Sequence, residues 1–538
     1  MHAMNPKFKS RRSLIVLSIV AALLVVLVAG YFIAQSMIRR KVEAALRSLP
    51  ATFIVSYGDI QPSLLNSSLV ISGLKIRVQP GPDTLHRHEL AVDQMKIGGI
   101  HFLSLMFSKK SLHIGSIRLE GCRAELDDEL LDKPFPFPKQ QSPFTEALLD
   151  EAAVSDIIVK GWRAGKSGRK EVFSFEGSLR VDSVGVRDLN KGMDSSNLRI
   201  GGIHLSAREG GYVIPGAYER VRIKDAELDS RGGMLCIAMI SVAPTVDRLE
   251  LGRIKGVQTD VVDARCDDIR LEGLDVFGLA QHRLTADGIM VGSGKIHVFR
   301  DRRLRRETDE KPLPVDFLKS LPMSLRVKEV KFGTSSFTYE EFPGKGDSTG
   351  TIRIVRMTGS LSPLINKPIA GDPAWLTLTT KGSLMGSGTV TATTRMPLRR
   401  GEPYHVEGAF HELDVTTLNS SAENLGLIHL KSGVLNSLAF QFDMGPEKST
   451  GKVIGAYHQL VVQKLKEKDD VKKVDKLKSF ALKEFIIPLN KDQSLPESKR
   501  TGKVDYKRDP SRNFSFYLLH SLLVGVKSSF SLGFLLPG

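Results

Sequence analysis

Leu14 to Ala34 reads LIVLSIVAALLVVLVAGYFIA, twenty-one residues without a charge. At ~1.5 Å per residue, a helix of this length covers about 31 Å, close to the hydrocarbon thickness of a bilayer. Leu14, Ile15, Val16, Leu17, Leu23, Leu24, Val25, Val26, Leu27, Tyr31 and Phe32 make up the anchor this predicts. Lys7, Lys9, Arg11 and Arg12 precede the run; Arg39, Arg40, Lys41 and Arg47 follow it. The run exceeds the ~7–15 residues of a signal-peptide core, and no convincing small-x-small cleavage site follows. An uncleaved anchor is therefore favoured over a cleaved signal or a buried core helix. The basic tail favours an N-in orientation. Residues 1–12 then form a cytoplasmic tail, 13–49 the anchor helix and its extension, and the rest an exported body on a single span.

That body is long. At 538 residues the chain exceeds one ordinary core, so about three domain-sized units or one elongated array are expected. With 41% hydrophobic and 25% charged residues it has a folded rather than disordered composition. The net charge is +16, of which +7 lies in residues 7 to 47 (eight basic residues less Glu43). Nearly half the excess thus flanks the apolar run, and no nucleic-acid partner is needed to explain it. A second basic knot, Arg300, Arg302, Arg303, Arg305 and Arg306 with Asp301 inside it, reads as a solvated linker; contact with lipid headgroups or an acidic partner is the alternative. Cys122, Cys236 and Cys266 are too few and too far apart for a disulfide framework or a cysteine zinc site, although Cys236 and Cys266 could pair.

Beyond Pro50 the texture is short alternating segments punctuated by Gly, Pro, Asn and Asp. In Ile117–Gly121, Ile117 and Leu119 point one way and Arg118 and Glu120 the other; Val221 and Ile223 alternate similarly with Arg220, Arg222 and Lys224. This is the period of strands with one wet face. The fold class expected is mainly β: a single transmembrane helix, then an elongated, curled antiparallel sheet with few short helices. The expected regions are a β region at 50–132, a Pro-rich connector with the short helix TEALLDEAAV at 133–155, a middle β region at 156–300, a charged linker at 301–322 and a C-terminal β module at 323–538. IRLEG recurs at 117–121 and 269–273, and IGGIH at 97–101 and 200–204, which fits an array of similar strands. With few helices to cover the apolar face, either two sheets pack together or ligand fills the inside. Ile117, Leu119, Val221, Ile223, Ile269 and Leu271 are the candidate groove face. Near the end, Asp509-Pro510 is expected to start an apolar helix bearing Phe514, Tyr517, Leu518, Leu522, Leu523, Val526 and Phe530. That helix should plug the β body or lie on a membrane or partner.

No catalytic constellation is legible. Gly346–Gly350 fits G-x-S-x-G, but a strand-like TIRIV follows where a nucleophile elbow needs a helix. Gly161–Ser167 falls one residue short of a phosphate loop. His86, His88 and Glu89 read as surface groups rather than metal ligands, and Asp127, Asp128 and Glu129 lack calcium-loop spacing. No motif asks for a cofactor, and the chain is read as a non-enzyme.

The opening architecture, with VEAALRSLPATFIVSYGDIQPSLLNSSLVISGLKI and MKIGGIHFLSLMFSKKSLHIGSIRLEGCRAEL, resembles the AsmA-like envelope proteins, relatives of TamB, YhdP and YdbH. YEEFPGKGDSTGTIRI, LDVTTLNSSAENLGLIHLKSGVLNSLAFQF and RDPSRNFSFYLLHSLLVGVKSSF resemble the closing module of such proteins. The resemblance covers residues 10–130 and 320–535, in motifs of low specificity. It implies an inner-membrane-anchored periplasmic protein whose apolar β-groove carries phospholipid acyl chains or supports outer-membrane assembly. An envelope protein partner at the C-terminal end is the further expectation. The chain is shorter than the large bridging members, so a complete bridge across the periplasm is not implied. A structural tether that binds partners by its sheet edges is the competing function.

Overall fold

The structure, a computed structural model, describes residues 7–47, 53–78, 88–100, 111–127, 144–165, 168–191, 197–344, 346–467, 480–486 and 491–530. The chain is mainly β, 62% strand and 17% helix, in antiparallel-rich, curled sheet. It divides into two compact units, Met1–Gly211 and Tyr212–Gly538. The division falls inside the expected middle region 156–300.

In the first unit, α1 (Lys7–Arg47) runs unbroken through the apolar run and the basic residues after it. Val42 and Leu46, near its C-terminal end, pack on a core made by Ile60, Leu69, Ile71, Leu74 and Val92. Arg39 ties the same end to Asp59 at 3.2 Å. β1 (Phe53–Ser56) and β2 (Asp59–Ser63) pair with successive parts of β3 (Ser68–Val78). β4 (His88–Gly98) and β5 (Ser111–Asp127) follow antiparallel. β6 (Glu146–Gly165) lies parallel to β5 and antiparallel to β7 (Gly168–Val186). β8 (Leu198–Val213) crosses the division between the units.

The expected helix TEALLDEAAV is instead the start of β6. Ten residues make a marginal helix alone, whereas here the segment ladders to β5 on one side and β7 on the other. Pairing on both edges outweighs helix propensity. The Pro-rich segment before it lies outside the described residues, except for Phe144.

The second unit begins with β9 (Glu219–Asp229), β10 (Met234–Pro244), β11 (Asp260–Glu272) and β12 (Arg283–Asp301), all antiparallel. β13 (Ser324–Phe342) is parallel to β12. β14 (Gly350–Ser362), β16 (Trp375–Leu384), β17 (Gly388–Pro397), β18 (Tyr404–Asp414), β19 (Ile428–Met444), β20 (Lys448–Glu467) and β22 (Thr501–Lys507) continue the antiparallel order. The short β15 (Leu364–Ile365) pairs with β13, and β21 (Phe480–Ile486) with β20. Among the helices, α2 (Arg248–Lys255) covers Val261 and Phe299, and α3 (Val276–Leu279) packs beside Leu271. The others are α4 (Pro314–Ser320), α5 (Asn419–Gly426), α6 (Glu497–Arg500) and α7 (Phe514–Phe530).

The segment 301–322, expected as a charged linker, connects the parallel pair β12–β13 as a crossover, and part of it is packed. Leu313 and Val315 enter the main core, and the Val315 N–H donates to the Tyr404 hydroxyl at 3.1 Å. A crossover must lie back on its sheet, which places these residues where a free linker would not go.

The main core lies over β16 to β22. Leu376, Val453 and Val504 are wholly buried, and Tyr517 and Phe530 of α7 close over them. The helix therefore plugs its own unit. Asp509 does not cap it. The carbonyl oxygen of the Asn513 side chain accepts the Phe516 N–H at 2.9 Å, while Asp509 holds the preceding turn and pairs with Arg306.

Candidate functional site

The apolar face is not a simple alternation. In β3 the inward residues are Leu69, Ile71, Leu74 and Ile76; in β4 they are Leu90, Val92, Met95 and Ile97. In β9, Ile223, Ala226 and Leu228 join one cluster, and in β11, Cys266, Ile269 and Leu271 do the same. Each strand keeps period two, takes one three-residue step, and resumes on the same face. In β3, β9 and β11 a left-handed residue marks the step: Gly73 (φ 62°), Asp225 (φ 47°) and Asp268 (φ 53°); β4 takes its step opposite the left-handed Gly121 (φ 65°) of β5. Such an irregularity rotates and bends the strand, which carries the face through the turn. The pairs read from sequence, Ile117/Leu119, Val221/Ile223 and Ile269/Leu271, are half-strands on either side of these steps.

The IRLEG repeats share this device. Gly121 and Gly273 are both left-handed (φ 65° and 63°), and each lies beneath a carboxylate, Asp93 or Asp287, that a Cβ would strike. IGGIH has no common structure: the first copy leaves β4 at Gly98, while the second continues within β8; His101 lies outside the described residues.

Of the six candidate groove residues, the structure brings Ile223, Ile269 and Leu271 into one cluster of the second unit. Leu119 packs in the first unit, and Ile117 and Val221 stay half-buried outside both clusters. Across β11, β12 and β13 the face is built of matched rows. Leu271–Ile289–Val330 is followed by Ile269–Val291–Phe332, Cys266–Gly294–Ser335, Ala264–Ile296–Phe337 and Val262–Val298–Tyr339. Ile223, Ile240, Cys266, Ile289 and Val291 remain only half-buried. Toward β16 the same face passes under the main core: Leu361 and Leu378 pair with each other and pack there.

The next row is charged: Asp260–Arg300–Glu341. Arg300 is 5% exposed, and its guanidinium donates to both Asp260 oxygens, at 2.7 and 2.8 Å. Arg302 donates to Glu341 at 3.0 Å, and the Tyr339 hydroxyl donates to Glu341 at 2.6 Å. Asn513 of the α7 N-terminus donates to Asp260 at 3.0 Å. Burial works against the charge on Arg300, but Asp260, Tyr339 and Glu341 outweigh it and raise its pKa. Burial, then Glu341, pushes the Tyr339 hydroxyl up. Arg512 differs: burial lowers its pKa, and repulsion from Arg300, Arg306 and Arg302 lowers it further. Of the arginines in the basic knot expected to be solvated, Arg300 alone is buried; Arg302, Arg303, Arg305 and Arg306 are exposed, with Arg303 ion-paired to Asp301 at 2.7 Å and Arg306 to Asp509.

The C-terminal helix residues Phe514, Tyr517, Leu518, Leu522, Val526 and Phe530 join the main core, and only Leu523 of those seven is exposed. Of the anchor residues, Val25 and Phe32 are exposed and Tyr31 is half-buried; the side chains of the others lie outside the described residues. Among the described residues no helix is long and apolar enough to cross a membrane. Ser348 sits in the β13–β14 hairpin loop with its hydroxyl on Asp347 at 3.1 Å. Gly161–Gly165 is part of β6, so the phosphate-loop resemblance falls on a strand; residues 166–167 lie outside the described residues. His86, Asp128 and Glu129 also lie outside them. Asp127 is ion-paired with Arg169 at 2.6 Å. The three thiols are free; Cys236 stands opposite Arg270 and Cys266 opposite Ile240, which leaves them out of register for pairing.

The charged row was the part missed in sequence. Its arginines are visible as a knot, but Asp260, Glu341 and Arg512 are far from it in the chain, and nothing in spacing links them. The signal that could have shown the bent strands is the i, i+2, i+5, i+7 apolar spacing. No family model matches the chain, and no curated protein matches it.

Proposed function

We propose that this chain is an envelope protein held at the inner membrane by the Leu14–Ala34 helix, N-terminus inside and bulk in the periplasm. Its apolar sheet face binds phospholipid acyl chains, in lipid transfer or in support of outer-membrane lipid homeostasis and assembly. The chemistry is binding rather than catalysis. The observation that carries this reading is the set of matched apolar rows from β9 to β13, in which Ile269 and Leu271 are buried but Ile223, Ile240, Cys266, Ile289 and Val291 stay half-buried. An apolar face of that extent in water is costly, at roughly 25 cal/mol per Å², and acyl chains would cover it. The uncharged run and its basic flanks support the anchor, as do the exposed Val25, Phe32, Ile33 and Met37 on α1. The resemblance to AsmA-like envelope proteins points the same way.

Native mass spectrometry of the detergent-extracted full chain is the test. Co-purifying phospholipid is expected, and a folded, lipid-free protein that takes up none from vesicles would overturn the reading. A tether or assembly factor is the second reading, favoured by the filled core under α7. In that case the end of the second unit is a rigid cap, and sheet edges hold an envelope protein partner.

A further inference from the structure

We propose that the charged end of the apolar face is a seat for a phosphate-type anion and that Arg512 is the residue that binds it. The proposal deepens the acyl-chain reading by giving the same ligand a polar end. It rests on that reading for the lipid, but not for the phosphate group.

The charges at this end do not balance. Arg300, Arg302 and Arg306 are matched by Asp260, Glu341 and Asp509. Arg512 is a fourth guanidinium, with no carboxylate of its own among the described residues. It is 8% exposed; its Nη1 reaches only the Gln258 Oε1 at 3.4 Å, and its carbon centre lies 5.0 Å from the Phe516 ring centroid. Its Nε is buried without a hydrogen-bond partner among the described residues. The neighbouring Arg508 also has an Nε without a partner among the described residues, but its two Nη atoms are held by the carbonyls of Pro446 and Lys311 at 3.2 and 2.7 Å and Glu310 lies 3.8 Å away. A buried cation with an unmet donor is costly. A phosphate group meets both needs at once, since a guanidinium presents a planar fork of donors that matches phosphate oxygens. The N-terminus of the 17-residue α7 adds its dipole at the same place.

Position argues for an amphiphile. Asn513, next to Arg512, touches Asp260, and Asp260 begins the strand whose same face continues as Val262, Ala264, Cys266, Ile269 and Leu271. At ~3.3 Å per residue the apolar rows extend about 35 Å from the charged one. A ligand with a phosphate at one end and hydrocarbon at the other fits that order of charged and apolar rows.

The test uses the full chain in detergent with three probes: dioctanoyl phosphatidate, dioctanoylglycerol and inorganic phosphate. Wild type is expected to bind the phosphatidate about tenfold or more tighter than the diacylglycerol. Arg512→Gln should remove that preference and leave diacylglycerol binding unchanged. An undiminished preference in R512Q overturns the proposal, as does failure of wild type to bind any phosphate compound, which would make the cluster purely structural. If inorganic phosphate binds wild type but not R512Q while neither lipid binds, the anion seat stands and the acyl-chain reading fails. A thermal melt checks that R512Q folds. If it does not, Arg512→Lys serves instead: it keeps the charge but loses the planar fork, so the preference should fall severalfold, and full retention overturns the proposal.

Discussion

Arg300 and Asp260 face each other on adjacent strands and are joined through two hydrogen bonds of 2.7 and 2.8 Å at the end of an otherwise apolar sheet face. The arginine is nearly sealed from solvent. Asp260→Ala would leave it buried and unpaired, and the expected loss is about 3–5 kcal/mol. Replacing both, Asp260→Ala with Arg300→Met, should recover much of that loss, because the uncompensated charge is gone. Urea unfolding of the two variants decides; equal losses would mean that the pair is not coupled as the geometry implies.

The second unit contains two kinds of apolar position. Leu376 is wholly buried under α7, so Leu376→Ala should cost about 2–5 kcal/mol. Ile240 is half-buried on the uncovered part of the face. Ile240→Ala should cost well under half as much, while Ile240→Asp should abolish phospholipid co-purification. Thermal melts of delipidated protein, read beside the lipid content, check both statements. An Ile240→Ala loss equal to that at Leu376 would place Ile240 in a filled core.

Gly121 is left-handed, and a Cβ there would strike the Asp93 carboxylate. Arg123 holds that carboxylate through an Nη1 bond of 3.1 Å. Gly121→Ala is expected to lose about 1–3 kcal/mol from backbone strain and the displaced ion pair. Adding Asp93→Ala should relieve the clash but not the strain, so the double variant should stay below wild type in chemical denaturation. The same comparison at Gly273 and Asp287 tests whether the two IRLEG segments behave alike.

His520 stacks on Phe516 with ring centroids 3.7 Å apart. Burial holds its pKa below the ordinary 6.5; the Phe516 carbonyl and Glu341 oppose that effect, and Lys527 and Arg302 add to it. The unfolded chain therefore binds the proton more readily than the folded one. Stability should be full above about pH 6.5 and fall as the pH drops below it. His520→Phe keeps the stacked ring without a titrating group, and it should flatten the thermal midpoint between about pH 5.5 and 7. An unchanged slope in that variant would assign the pH dependence to another group.

The chain itself determined the β class, the helix through Leu14–Ala34 and the inward set Ile223, Ile269 and Leu271, because these depend on local alternation and uninterrupted apolar length. It also placed Ser348 in a hairpin, since a strand pattern follows it. The tertiary structure decided what local pattern cannot. TEALLDEAAV became a strand because β5 and β7 ladder to it on both edges. Asp301–Pro322 became a partly packed crossover because β12 and β13 are parallel. The left-handed steps at Asp225 and Asp268 restored the apolar face where strict alternation would have lost it. The charged row needed the most: Arg300, Asp260, Glu341 and Arg512 are distant in sequence, and only strand register and the docking of α7 bring them together, because ion pairing acts through space and leaves no periodic trace in the chain.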